Sequence, residues 1–99
     1  MDGIKSIVLE INKPLDKLKV NAWLQNLFTE NGTKILRSKG FFYFKDEDYR
    51  YEFQAVRKSF HSYAHDKWSE NEERKTTVVL IGENLPEKNM LMETLSSCV

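Results

Sequence analysis

His61 and His65 are the two histidines of the chain, and their four-residue spacing has opposite consequences in the two regular structures. On a helix both imidazoles share a face and, with Asp66, supply part of a tetrahedral zinc site. On a strand the same spacing separates them by about 13 Å at ~3.3 Å per residue, too far for one ion. The segment around them suits either reading. Phe60, Ala64 and Trp68 make a helical stripe, whereas Ser59, His61, Tyr63 and His65 line one face of a strand. The strand is preferred, so the pair is read as two solvent-edge histidines that remain the candidate metal ligands. Cys98, the lone cysteine, stands one residue from the C-terminus. It excludes an intrachain disulfide and a Cys-rich zinc module, and it fits a reducing compartment.

Other chemistry is thinly represented. A phosphate-cradling loop needs clustered glycines followed by Lys and Ser or Thr, and the four glycines stand apart at positions 3, 32, 40 and 82. Ser, Asp and Glu are abundant but show no nucleophile elbow or paired-carboxylate spacing. Catalysis by this chain is not expected. Arg37, Lys39, Arg50, Arg57 and Lys58 form a candidate basic patch on one edge of a sheet, the ordinary alternative being solvated charge that guards the edge from unwanted pairing.

The elements that position these residues follow from hydrophobic periodicity. Ile7, Leu9 and Ile11 alternate with polar residues, with Ile4 and Val8 in the other register, which predicts a strand from Ile4 to Ile11 ended by Asn12-Lys13-Pro14. Asp16 caps a helix whose Val20, Trp23, Leu24, Leu27 and Phe28 follow three-four spacing, and Asn31-Gly32 is expected to stop it in a left-handed turn. Ile35-Leu36 and Gly40 to Phe44 read as one strand interrupted at Arg37-Ser38-Lys39. Lys45 to Asp48 is the polar tip of a hairpin returning through Tyr49, Tyr51 and Phe53. Ser69 to Arg74 is an acidic, solvated loop, and Thr76 to Ile81, closed by Gly82, is the clearest strand. Pro86 is expected in the first turn of a last helix that buries Leu91, Leu95, Cys98 and Val99. The sum is an α+β two-layer sandwich, order β-α-β-β-(β)-β-α, with an antiparallel-rich sheet of four to five strands and two helices on one face.

Composition agrees with a single domain over residues 1–99. Fifteen Lys and Arg balance fifteen Asp and Glu, so no net field draws the chain to nucleic acid or to an anionic membrane. Hydrophobic residues are 40% of the chain and charged ones 30%, the balance of a globular protein rather than a disordered one. The aromatics are expected in the core. Ile7-Val8-Leu9, the longest early apolar run, is far shorter than a signal-peptide core or a membrane span, and a cytoplasmic location is expected.

Trp23-Leu24, Leu36-Arg37-Ser38-Lys39-Gly40, Phe53-Gln54-Ala55-Val56, Trp68, an acidic loop ending in Arg74, and Val79 to Leu85 occur in an order and spacing similar to the C-terminal domain of CobW-type proteins. The most specific parts are the Arg-Ser-Lys-Gly turn into an aromatic strand and the Ile-Gly-x-Asn-Leu exit from the last strand. Two positions depart from the pattern: Ala55 stands where the family usually has Gly, and Pro86 where an Asp helix cap is common. The resemblance implies a non-catalytic domain downstream of a P-loop GTPase that uses GTP and magnesium to deliver zinc or cobalt to metalloenzyme clients. It also implies that the chain, with Met1 just ahead of its first strand, is excised from that larger protein. No cofactor is expected in the chain itself.

The run Lys39-Gly40-Phe41-Phe42-Tyr43-Phe44 supports two further expectations. It is similar to the aromatic strand of an RNA-recognition motif, but Phe42 and Asp46 depart from that pattern and the first strand lacks a stacking aromatic. RNA binding is the alternative reading. The second follows from alternation: a strand covered on one side should not be apolar at four successive positions. Either Phe41 and Tyr43 or Phe42 and Phe44 then face away from the helices, making with Arg37 and Lys39 an interaction surface for the GTPase domain, a client or a second copy. The competing expectation is that the segment from Arg57 to Trp68 folds across and buries it.

Overall fold

The computed structural model describes residues 3–56 and 59–99. Five strands and two helices follow in the order β1 (Ile4–Ile11), α1 (Lys17–Asn31), β2 (Ile35–Phe42), β3 (Tyr49–Val56), β4 (Ser59–Lys67), β5 (Thr76–Glu83) and α2 (Lys88–Ser96). The strands form one sheet in the order β1-β5-β2-β3-β4, and every neighbouring pair is antiparallel. The α+β sandwich with two helices on one face is therefore the fold adopted, and the segment around the histidines is a strand.

The alternation of β5 shows why the helices share one side. Thr76, Val78, Leu80 and Gly82 are buried, while Thr77, Val79 and Ile81 are half-buried on the opposite face. Val78 and Leu80 pair with Leu9 and Ile7 on β1 and with Gly40 and Ser38 on β2. One hydrophobic cluster joins Leu9, Val78, Leu80, Phe42 and Phe53 of the sheet to Val20, Trp23, Leu24 and Leu27 of α1 and to Leu91 and Leu95 of α2. The Trp23 indole N–H donates to Thr94 Oγ1 at 2.8 Å, linking the two helices.

An aromatic ladder crosses β2, β3 and β4 on this inner face. Phe44 stacks on Phe42 at 5.5 Å, Phe42 on Phe53 at 5.2 Å, and Phe53 on Phe60 at 5.9 Å. Gly40 makes room for it. A Cβ there would collide with the Thr77 carbonyl oxygen and stand 2.6 Å from the Phe53 ring, so the absence of a side chain lets Phe53 lie across β2.

The segment after β1 is pinned rather than free. Leu15 N–H donates to Tyr43 O and Lys45 N–H to Leu15 O, both at 2.9 Å, and Asp16 N–H donates to Cys98 O at 2.7 Å. The Asp16 carboxylate then caps α1 by accepting from the Lys19 amide at 3.0 Å, as its position ahead of the helix predicts.

Several expectations are corrected. β2 is unbroken through Arg37-Ser38-Lys39, with a register shift against β5 between Ile35 and Arg37, so these residues form no turn. Gly32 ends α1 at φ −59°; a side chain there is opposed by the Phe28 carbonyl oxygen, 2.5 Å from the position of its Cβ. Pro86 lies outside α2, whose N-cap is Glu87. Val99 is exposed, as are Tyr49, Phe60 and Tyr63, so the aromatics are not all core. Segment 59–67 extends the sheet instead of folding across it. Trp68 turns onto the outer face, where its ring meets Tyr43 edge-on at 6.0 Å.

Two stability measurements check this packing. Gly40→Val should cost about 1–3 kcal/mol or more by overpacking, read as a lower urea midpoint; an unchanged midpoint would remove Gly40 from the account. Trp23→Phe and Thr94→Val should each cost about 1 kcal/mol and be non-additive together, whereas full additivity would show that the bond between the helices contributes nothing.

Candidate interaction surface

The strand registers arrange the outer face of the sheet in cross-strand rows. From β1 to β4, one row runs Ser6, Ile81, Arg37, Val56, Ser59; the next runs Val8, Val79, Lys39, Gln54, His61; a third runs Glu10, Thr77, Phe41, Glu52, Tyr63. Val8, Val79 and Ile81 make an apolar flank over β1 and β5. Arg37 and Lys39, both exposed, stand on β2 in the middle. Beyond them lie the polar groups of β3 and β4. Among the described residues no helix covers this side, and Ile4, Val8 and Val56 are exposed on it.

Of the aromatic run, Phe41 and Tyr43 point to this face, half-buried, while Phe42 and Phe44 are 2% and 4% exposed in the core. Accessible contact is thus limited to Arg37, Lys39, Phe41 and Tyr43 among the expected interaction residues. The reason is the period of two, which the helix layer resolves in favour of Phe42 and Phe44. Phe41 lies beneath the Arg50 guanidinium, 4.4 Å from its ring centre. Arg50 also pairs with Glu72 at 3.1 Å, so the acidic loop is partly an anchor. Of the expected basic patch, Arg37 and Lys39 stand together on β2 and Arg50 is engaged with Phe41 and Glu72, while Arg57 and Lys58 lie outside the described residues.

Glu52 is the feature that the sequence reading missed. It is 6% exposed on the outer face, where it accepts hydrogen bonds from Tyr63 Oη at 2.6 Å and Gln54 Nε2 at 2.9 Å. The carboxylate raises the Tyr63 phenol above its ordinary pKa, chiefly through that hydrogen bond, with desolvation and charge repulsion acting in the same direction. The available signal was the alternation of Arg50, Glu52 and Gln54 with the inward Tyr51, Phe53 and Ala55.

The candidate ligands are not brought together. The β4 backbone separates positions 61 and 65 by about 13 Å, His61 faces outward opposite Gln54, and Cys98 is buried on the helix side of the sheet. Burial is the largest influence on the Cys98 thiol and raises its pKa, which disfavours the thiolate a metal needs. Among the described residues no three His, Cys, Asp or Glu side chains converge as a metal site. The RNA alternative fails on geometry as well. A strand rather than a helix follows the aromatic strand, and Arg50 and Trp68 occupy the ring surfaces that bases would use. No helix among the described residues is long and apolar enough to cross a membrane.

Comparison with known proteins agrees with this architecture. Residues 4–99 match the cobalamin synthesis protein cobW C-terminal domain. The zinc chaperone YjiA of Escherichia coli is 34% identical over 89 residues, which cover 90% of this chain and 28% of the relative. The crystal structure of Zn(II)-bound YjiA GTPase from E. coli superposes with a TM-score of 0.91 at 30% identity, over 98% of this chain and 30% of that one. A Zn(II)-bound triple mutant of the same GTPase gives 0.90 over 97%. The chain thus spans less than a third of these relatives, and it belongs to the family of CobW C-terminal domains.

Proposed function

We propose that this chain is the non-catalytic interaction domain of a CobW-type, GTP-dependent metallochaperone that works in the cytoplasm and delivers zinc or cobalt to a metalloenzyme. The observation that carries the reading is the uncovered outer face of the sheet. The apolar flank of Val8, Val79 and Ile81 borders the cations Arg37 and Lys39, with Phe41 and Tyr43 at its end. Such a face suits a partner that is apolar at its centre and acidic beside it. The GTP-binding domain of the same protein is the first such partner, and the client is the second.

The division of labour follows from what the residues can do. Gly40 and Gly82 are committed to close strand packing, where a Cβ would meet the Thr77 and Lys34 carbonyl oxygens, and neither belongs to a loop that cradles phosphate. His61 alone offers one ligand and leaves an ion mostly hydrated. GTP, magnesium and the delivered metal are therefore assigned to the GTPase domain.

Calorimetric titration of the chain with GTP and magnesium should show no saturable heat, and titration with zinc only weak binding. Micromolar GTP binding, or zinc binding tighter than about micromolar that is lost in His61→Ala, would contradict the non-catalytic reading. The docking part is tested separately. Phe41→Ser combined with Tyr43→Ser should weaken binding to the segment of YjiA that this chain does not match, with circular dichroism unchanged. Unaltered binding by the folded variant would place the interface elsewhere.

A further inference from the structure

One edge of the sheet is unguarded over part of its length, its charged residues Asp66 and Lys67 and its register shift being confined to the C-terminal end of β4. Among the described residues β4 pairs with β3 alone and ends the sheet, and an edge strand offers backbone N–H and C=O groups to any strand that reaches it. Natural edges are commonly guarded by charge, proline or a bulge. β1, the other edge, carries Lys5 and Glu10 and is packed by α2. From Ser59 to Ala64, β4 has no Lys, Arg, Asp, Glu, Pro or Gly, and its register against β3 is regular over that stretch.

The same stretch is complementary to itself. Antiparallel pairing of two β4 strands about Ser62 sets Ser62 opposite Ser62, Phe60 opposite Ala64 and His61 opposite Tyr63. The large Phe60 ring then meets a small partner on the inner face, and the two aromatic side chains meet on the outer one, which is a favourable cross-strand arrangement. Between Phe60 and Ala64 no charged side chains oppose each other, and a net charge of zero adds no long-range repulsion between copies. Phe60 gives the contact an apolar component. It is 43% exposed at the end of the aromatic ladder, and with Leu24, Gln25 and Phe28 it borders a groove of about 740 Å³. A second strand would continue the floor of that groove.

We propose that two copies of this chain associate through antiparallel β4–β4 pairing centred on Ser62, forming one ten-stranded sheet with both helix layers on the same side. The pairing involves only a short stretch of each chain, so the dimer is reversible and concentration-dependent rather than obligate. It uses a surface distinct from the outer face assigned to the GTPase domain, so one can fail without the other.

Sedimentation equilibrium of the 99-residue chain should show a monomer–dimer equilibrium. Ser62→Lys, at an exposed position, should abolish it by setting two ammonium groups face to face while circular dichroism stays native. Ser62→Cys should give a symmetric disulfide dimer under oxidised glutathione, and Ser6→Cys, on the opposite edge, should not. A chain that stays monomeric at every accessible concentration overturns the proposal. So does a dimer that persists in folded Ser62→Lys or fails to cross-link in Ser62→Cys.

Discussion

The aromatic part of the core is arranged around the missing side chain at Gly40. Its cross-strand partner is Phe53, whose ring fills the space a Cβ would take and stacks on Phe42. That contact and the helix layer together fix which face of β2 is inward. With Phe42 held inward, Phe44 follows it into the core and Phe41 and Tyr43 must face outward. The inner face is then wide and aromatic enough to seat two helices, and the outer one keeps a chequer of valine, isoleucine, cations and polar groups. The function proposed for the chain is a consequence of that choice of side.

Buried polar groups decide how rigid this outer face is. Glu52 would carry a large desolvation penalty without Tyr63 and Gln54; its bond from Tyr63 ties β3 to its neighbour β4, and the one from Gln54 lies within β3. Arg50 lies over Phe41 and pairs with Glu72, fixing the loop before β5 to the middle of the sheet. At the opposite end, Asp16 joins the start of α1 to the backbone of Cys98. A partner that docks on the outer face therefore meets a preorganised surface and pays little ordering cost.

Much of the fold was legible in the sequence because strong periodicity and sharp punctuation coincide. β1 and α1 show an apolar period, and the β2–β3 hairpin and β5 show apolar, β-branched or aromatic runs, each with a polar or glycine boundary. What was illegible depends on neighbours. Arg37-Ser38-Lys39 reads as a break because Ser38 interrupts the inward apolar register, yet Ala55 and Leu80 beside it supply the hydrophobic cover. The four-residue spacing of the histidines fits either structure, and only pairing of β4 with β3 resolves it. The choice between Phe41 and Phe42 could not be made from a run that is apolar at every position, because it depends on which side the helices cover. Glu52 looked like a surface residue in a solvated alternation, and its burial with Tyr63 and Gln54 hydrogen-bonded to it depends on the neighbouring strand.

The central claim of the proposed function is that the outer face of the sheet, rather than the helix layer, meets the proposed GTPase domain. Amide hydrogen exchange of this chain, alone and with the segment of YjiA that it does not match, tests that claim most directly. The account predicts added protection across β1, β5 and β2, at Val8, Val79, Ile81, Arg37, Lys39 and their neighbours, with α1 and α2 unchanged. Protection confined to α1 and α2, with the sheet exchanging as before, would contradict it.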